Sequence, residues 1–354
     1  MASRTGTVLL TGANGFVASH ILSLLVAHNY HTVATVRSEK KGQQIIKLYP
    51  TWEPFVTFAI VSDITSPGAY DEIFKAHKFD YIIHNASPIN FAAQDIEKDL
   101  VQPAIQGTTT LLSAAHTLGT PTLRRFVLLG SAVAVLNSLD PVDKPGKPYD
   151  ESDWNPITPA IAISNSSIVE GYTASKTLAE RAAWDFLSSE KPGFDLVVIN
   201  PDVIIGPLLQ PLSGPESVND TNAFFVYNFI NGTFKDVESI RFPFYHFVDV
   251  REVARAHLLA LTSPLASNLR IIIVSGLITP QLVADSIRTQ FPDLRDRVPE
   301  GKPGNVLPEG VDPTGWDNRR SFEVFGKEWR YRELGESVKD TVESLVRWER
   351  VWGG

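Results

Sequence analysis

The stretch VLLTGANGFVASHILSLL, near the start of the chain, constrains the fold more than any other. Residues 7–10 form a short apolar run of the kind buried on both faces in a sheet. Residues 15–28 carry apolar side chains at helical spacing. Between them lies Thr11-Gly12-Ala13-Asn14-Gly15-Phe16-Val17-Ala18. A strand that turns into a helix in this way directs free backbone N–H groups and the positive end of the helix dipole at one point in space. A pyrophosphate fits there, and in a strand–turn–helix setting that means a dinucleotide. Gly12 permits the tight turn, Gly15 lets the backbone come close to the phosphates, and Ala18 stands where helix–strand packing needs only a small residue. Two glycines in an ordinary turn would look the same in isolation; the strand before and the amphipathic helix after favour the cofactor. Thr11, Gly12, Asn14, Gly15, Phe16 and Val17 are therefore its expected contacts.

The alternation continues through the first two hundred residues. Strand-like runs at 32–36, 55–61, 81–84, 125–129 and 196–200 are separated by helix-period stretches at 38–49, 69–77, 93–118 and 172–189. This βαβα order implies an α/β fold, a Rossmann-type doubly wound parallel sheet with right-handed crossovers. Residues 1–205 are expected to form the dinucleotide-binding domain. Residues 207–222 are rich in Pro, Gly, Ser and Asn and read as a loop. With that loop, 206–241 and 266–354 are expected to build a smaller substrate-binding lobe, while 242–265, with a helix at 249–262, return to the first domain.

The end of the second strand decides which dinucleotide is used, because the adenine ribose lies there. An acidic side chain would accept from the 2'-hydroxyl of NAD, whereas a basic one binds the 2'-phosphate of NADP. The sequence is ATVRSEKKG: Arg37 arrives first and Lys41 is close by, with Glu39 beyond the strand end, so the cofactor is read as NADPH/NADP. Asp63, with Ile64 beside it, follows the third strand and could hold the adenine; an ordinary turn aspartate fits as well.

The fifth strand ends in Gly130-Ser131, and carboxyl ends of parallel strands face the ligand crevice. The helix that follows carries Tyr172 and Lys176, which share a face at a spacing just over one turn. Of the chain's nine tyrosines, Tyr172 alone has a lysine four residues later. A catalytic set results. Ser131 would hold a carbonyl oxygen, and Tyr172 would give the proton to the alkoxide left by hydride arrival. Lys176 would bind the nicotinamide ribose and lower the tyrosine pKa.

Composition removes competing classes. The net charge is -8, which suits neither a nucleic-acid surface nor an anionic membrane. Hydrophobic residues make up 43% and charged residues 20%, with no cysteine, so thiol chemistry and disulfides are excluded. The histidines form no metal constellation. No long apolar run marks a secretory signal or a membrane span, and the expected location is cytoplasmic, as a monomer or homodimer.

Thr11-Gly12-x-x-Gly15, Ser131 and Tyr172-x-x-x-Lys176, in that order, resemble the extended short-chain dehydrogenase/reductases over essentially the whole chain. HNASPI, PAIQGT, NPDVIIGP, FVDVREVARAH and LGESVKDTVESL narrow the likeness to the dihydroflavonol-reductase-like subgroup, with fungal NADPH-dependent aldehyde, ketone and methylglyoxal reductases nearest. The resemblance implies that Ala86, Ser87 and Pro88 flank the cofactor and that Pro201 and Val203 meet the nicotinamide carboxamide through the backbone. Gln106 stands where such chains often have Asn, and Gly130 where the first of two serines is usual.

Phe91, Val133, Phe224, Phe225, Tyr227 and Tyr245 are candidates for an apolar pocket wall, and the polar insert 136–167 for a rim above it. With no arginine cluster to hold an acid, the expected partner is a small neutral carbonyl substrate. Two other functions share these motifs: a nucleotide-sugar epimerase or dehydratase, and a non-catalytic NADP-sensing regulator.

Overall fold

The computed structural model describes residues 5–88 and 93–353. Its ten strands are β1 (Thr7–Leu10), β2 (His31–Val36), β3 (Val56–Ile60), β4 (Tyr81–His84), β5 (Arg125–Leu129), β6 (Asp195–Pro201), β7 (Val203–Ile205), β8 (His246–Asp249), β9 (Leu269–Ile273) and β10 (Gly276–Leu277). Seven of them form one parallel sheet in the order β3-β2-β1-β4-β5-β6-β9. Leu9, Leu10, Ile82, Ile83, Phe126 and Val127 are all fully buried, because helices cover both faces of the sheet. Strand order reverses direction between β1 and β4, and the crevice at that reversal is where an open α/β sheet receives a ligand.

Helices α1 (Phe16–Ala27), α2 (Glu39–Leu48) and α3 (Asp71–Ala76) lie within the stretches expected for them. The run expected at 93–118 opens with a wide π turn, Glu97–Val101, before continuing as α4 (Gln102–Leu118). A short helix, α5 (Pro159–Ser164), precedes α6 (Ile168–Glu190). The latter starts earlier than expected because the Ser167 side chain accepts from the Glu170 N–H at 3.2 Å and caps it. Tyr172 and Lys176 consequently sit well inside a continuous helix rather than at its frayed end.

The division of the chain differs from the expected one in a defined way. Residues 269–273, expected in the smaller lobe, pair in parallel with β6 as β9 and extend the main sheet. Their LRIII sequence is apolar on both faces, which a strand covered from two sides requires. Val324, Phe325 and Trp329 likewise pack into the first core, beside α1 and the helix Val250–Thr262. The second lobe is built on the three-stranded sheet β10-β8-β7. Phe229, Phe242, Phe247, Val283, Val338 and Leu345 fill its core. Among the described residues no helix is long and apolar enough to cross a membrane.

Candidate active site

Between the two lobes, at the carboxyl ends of the central strands, lies a cavity of about 960 Å³. Its wall runs from Phe16 and Val17 at the start of α1, past Ser87, Ser131, Tyr172, Lys176 and Pro201, to Phe224, Phe225, Phe242 and Phe244.

At the α1 end, Gly12 has φ +67°, and a Cβ there would stand 3.2 Å from the Cα of Ala86. Only glycine combines that left-handed backbone with so close an approach. Gly15 supplies no side-chain cap, so the first N–H groups of α1 stay available to an anion. Thr11 is tied into the framework through its side chain. Its buried Oγ1 accepts from the Asn85 and Ala86 N–H groups at 3.0 and 2.9 Å and meets His84 Nδ1 at 2.8 Å. With two incoming donors, the threonine proton goes to Nδ1, which leaves the imidazole proton on Nε2. Burial holds His84 down to about 3, so it is neutral and structural. Beside the glycine turn, Asn85 lines the cavity, and its buried Oδ1 has no hydrogen-bond partner. Sequence reasoning assigns Asn85 no role of its own, although it lies within HNASPI beside the expected contacts Ala86, Ser87 and Pro88.

Arg37 follows β2 directly and is exposed, and its charge reaches Asp63. The Asp63 carboxylate accepts from the Thr65 N–H and hydroxyl at 2.8 and 2.7 Å and from Ser66 at 3.0 Å, which holds its pKa below the usual range. Those bonds fit a turn aspartate, and the exposed carboxylate keeps room for a further donor. Lys41 is exposed on the first turn of α2. Ile64 packs towards Gly107 of α4, where a Cβ would fall 2.8 Å from Ile64 Cδ1. Gly12 is thus apposed to Ala86, while Pro88 lies near the same face of Gly107.

Ser131, Tyr172 and Lys176 converge. The Ser131 and Tyr172 side chains share a hydrogen bond, and Lys176 Nζ lies 5.8 Å from the tyrosine ring centre. Burial pushes the Tyr172 phenol up to about 12; Asp220 and Asp202 add to this, and the Ser131 bond opposes it. The shift is opposite to the lowering expected from Lys176, because desolvation of the phenolate is its largest cause. Desolvation also pulls Lys176 down to about 8. At neutral pH the site therefore holds a protonated phenol beside an ammonium that still carries its charge.

Pro201 and Val203 line the cavity around Asp202. Burial raises the Asp202 carboxyl to about 7 against hydrogen bonds from the Val203 N–H at 2.8 Å and from the Trp316 side chain. Arg241, also unforeseen, joins the wall with Nη1 donating to the Glu238 and Ile240 carbonyls at 2.6 and 3.0 Å.

Of the expected wall residues, Val133, Phe224 and Phe225 line the cavity. Tyr227 and Tyr245 do not: at 7% and 6% exposure they fill the second lobe's core. On the helical stretch 223–230, Ala223, Phe224, Phe225 and Asn228 line the cavity, while Val226, Tyr227, Phe229 and Ile230 pack into the second lobe's core. Phe91 lies outside the described residues. No residue of 136–167 lines the cavity, so the insert is not its rim. Instead Asn155 Nδ2 donates to the Val133 carbonyl at 2.8 Å, which fastens the insert behind the Ser131 turn. Among the described residues there is no cluster of three or more metal-ligating side chains.

Residues 8–274 match the profile of the NAD dependent epimerase/dehydratase family. The chain is 37% identical to a ketoreductase of Aspergillus niger over 351 residues, covering 98% of this chain and 99% of the relative. It is 31% identical to an NADPH-dependent methylglyoxal reductase of Saccharomyces cerevisiae over 347 residues, covering 97% and 99%. The crystal structure of the yeast methylglyoxal/isovaleraldehyde reductase complexed with NADPH superposes with a TM-score of 0.85 at 29% identity, covering 97% of this chain and 99% of that one.

Proposed function

The chain belongs to the NAD dependent epimerase/dehydratase family, the extended short-chain dehydrogenase/reductases, and on that premise we propose that Ser131, Tyr172 and Lys176 carry its chemistry. The protein is an NADPH-dependent carbonyl reductase that converts an aldehyde or ketone to an alcohol. NADPH, when bound, supplies the hydride. The residues present suit it: Gly12, Gly15 and the start of α1 would accommodate the pyrophosphate, and Arg37 and Lys41 would meet the 2'-phosphate. Asn14, Ala86 and Ser87 would flank the cofactor, and Asn85 and Ser87 line the cavity that would receive it.

The hydroxyls of Ser131 and Tyr172 hold the substrate carbonyl oxygen from two sides. Tyr172 then gives its proton to that oxygen as negative charge gathers there. A phenol pushed up to about 12 arrives protonated, as a donor must. Lys176 places positive charge near the tyrosinate that results and lies where a ribose hydroxyl can reach it. The hydrogen-bonded Ser131–Tyr172 pair, with Lys176 one helical turn on and open to an aromatic cavity, carries this reading.

Phe224, Phe225, Phe242 and Phe244 favour a neutral, partly hydrophobic substrate. A nucleotide-sugar epimerase would need cations for a diphosphate. Among the described cavity residues Arg241 is the one cation besides Lys176, and its Nη1 is already bonded to backbone carbonyls. A sensor would have no use for a protonated donor beside a carbonyl holder. A cytoplasmic location and a monomer or homodimer complete the proposal.

The test is oxidation of NADPH and of NADH by the purified chain with aldehydes, diketones and keto esters. Turnover with NADPH in clear preference to NADH is expected. No oxidation with any carbonyl would sink the proposal, and NAD retained through purification would favour the epimerase.

A further inference from the structure

Asn200 lies behind the Ser131 turn, near the end of β6, and is fully buried. Its side-chain amide has two N–H donors, and both are committed. One goes to the Ser131 main-chain carbonyl at 3.0 Å and the other to Glu180 Oε2 at 2.8 Å. Both partners are acceptors only, which fixes the amide orientation. The price is paid at the other end, where Asn200 Oδ1 is buried without a partner. A leucine in the same space would leave no orphan of its own, so the two donated bonds are what an amide at this position adds.

Glu180 belongs to α6, one turn beyond Lys176 and two beyond Tyr172 on the same face. It is 1% exposed, and its Oε1 accepts from Arg270 Nε at 2.5 Å. Arg270, from β9, also donates to the Glu151 and Asp153 carbonyls at 3.0 and 2.6 Å and lies 3.7 Å over the Trp154 ring. Glu180 is thereby held from the far side and cannot follow α6 independently of the sheet. Gly130 completes the arrangement: a Cβ there would stand 2.7 Å from both Asn200 Nδ2 and Val198 Cγ1. Only a residue without a side chain leaves the amide its path to the Ser131 carbonyl.

We propose that Asn200 is a positioning residue for the reduction, its amide locking the Ser131 main chain to Glu180 on the helix that carries Tyr172 and Lys176. Ser131 stands at the end of β5, whereas Tyr172 rides on α6, and their hydroxyls must meet one substrate oxygen. The Asn200 bridge joins the two supports behind the site and keeps that separation constant. This rests on the reductase reading of the same site.

Two variants separate positioning from mere stability. Asn200→Asp sets a carboxylate against Glu180 and removes both donors. Adding Glu180→Gln restores a hydrogen bond between positions 180 and 200 with its polarity reversed, while nothing donates to the Ser131 carbonyl. Asn200→Asp is expected to lower both Tm and kcat. The double variant is expected to regain Tm, yet to keep kcat per NADPH-binding site about a hundredfold below the unsubstituted chain, with carbonyl KM and NADPH Kd within about threefold. Recovery of kcat to within about threefold in the double variant would overturn the proposal. Should that variant not fold, Asn200→Ala serves under the same criterion, kcat per NADPH-binding site. An unsubstituted chain with no turnover at all overturns the reductase reading itself, and this proposal with it.

Discussion

Tyr172→Phe is expected to cut turnover by about 10²–10⁴-fold while NADPH binding stays within a few-fold of the unsubstituted chain. The substitution removes one oxygen and keeps the ring that Lys176 Nζ faces at 5.8 Å. Packing on α6 is therefore retained, and the loss isolates proton donation. Ser131 still offers a hydroxyl to the carbonyl, but a serine alkoxide is far too basic to be left behind by donation at neutral pH. Steady-state turnover beside a fluorescence titration of NADPH reads both quantities. Turnover within tenfold of the unsubstituted chain would remove Tyr172 as the donor. Turnover and NADPH binding lost together would show instead that the variant disrupts the site.

Arg37→Glu is expected to lower the preference for NADPH over NADH, as a ratio of kcat/KM values, by at least about a hundredfold. Hydrogen bonds to charged groups contribute roughly 1.5–3 kcal/mol each, and the reversed charge adds repulsion from a phosphate. A carboxylate at the end of β2 would in turn accept from the 2'-hydroxyl of NADH. Arg37 is exposed, and Tm should hardly move. Equal losses with both cofactors would refute contact with the 2'-phosphate.

Much of the framework was legible because buried parallel strands write themselves plainly. Residues 7–10, 81–84 and 125–129 have the same bounds in the sequence reading as in the structure. Each is a continuous apolar run that ends where the chain must turn. The Gly12 turn and the Tyr172–Lys176 spacing were legible for a similar reason: local geometry imposes a local pattern.

What escaped depends on contacts far apart in sequence. Nothing in LRIII says that its partner is β6 rather than a strand of the smaller lobe. Tyr227 and Tyr245 look as suited to a pocket wall as Phe224, and only the direction of each side chain separates them. Asn85 and Asp202 lie within HNASPI and NPDVIIGP, but those stretches give neither residue a role, and Arg241 belongs to no quoted stretch; all three line the cavity that forms around them. The upward shift of Tyr172 was missed because burial, unlike charge, cannot be read from neighbours in sequence. Glu180 and Arg270 are ninety residues apart and meet only in the folded chain.

Deuterium placed at both hydrogen positions of the reacting carbon of the NADPH nicotinamide follows the reduction directly, whichever of the two is transferred. The alcohol formed from an aldehyde or ketone should carry that deuterium on its former carbonyl carbon, while its hydroxyl proton comes from solvent by way of Tyr172. Alcohol that forms without the label, or NADPH that is consumed with no alcohol formed, would contradict hydride transfer to a carbonyl at this site.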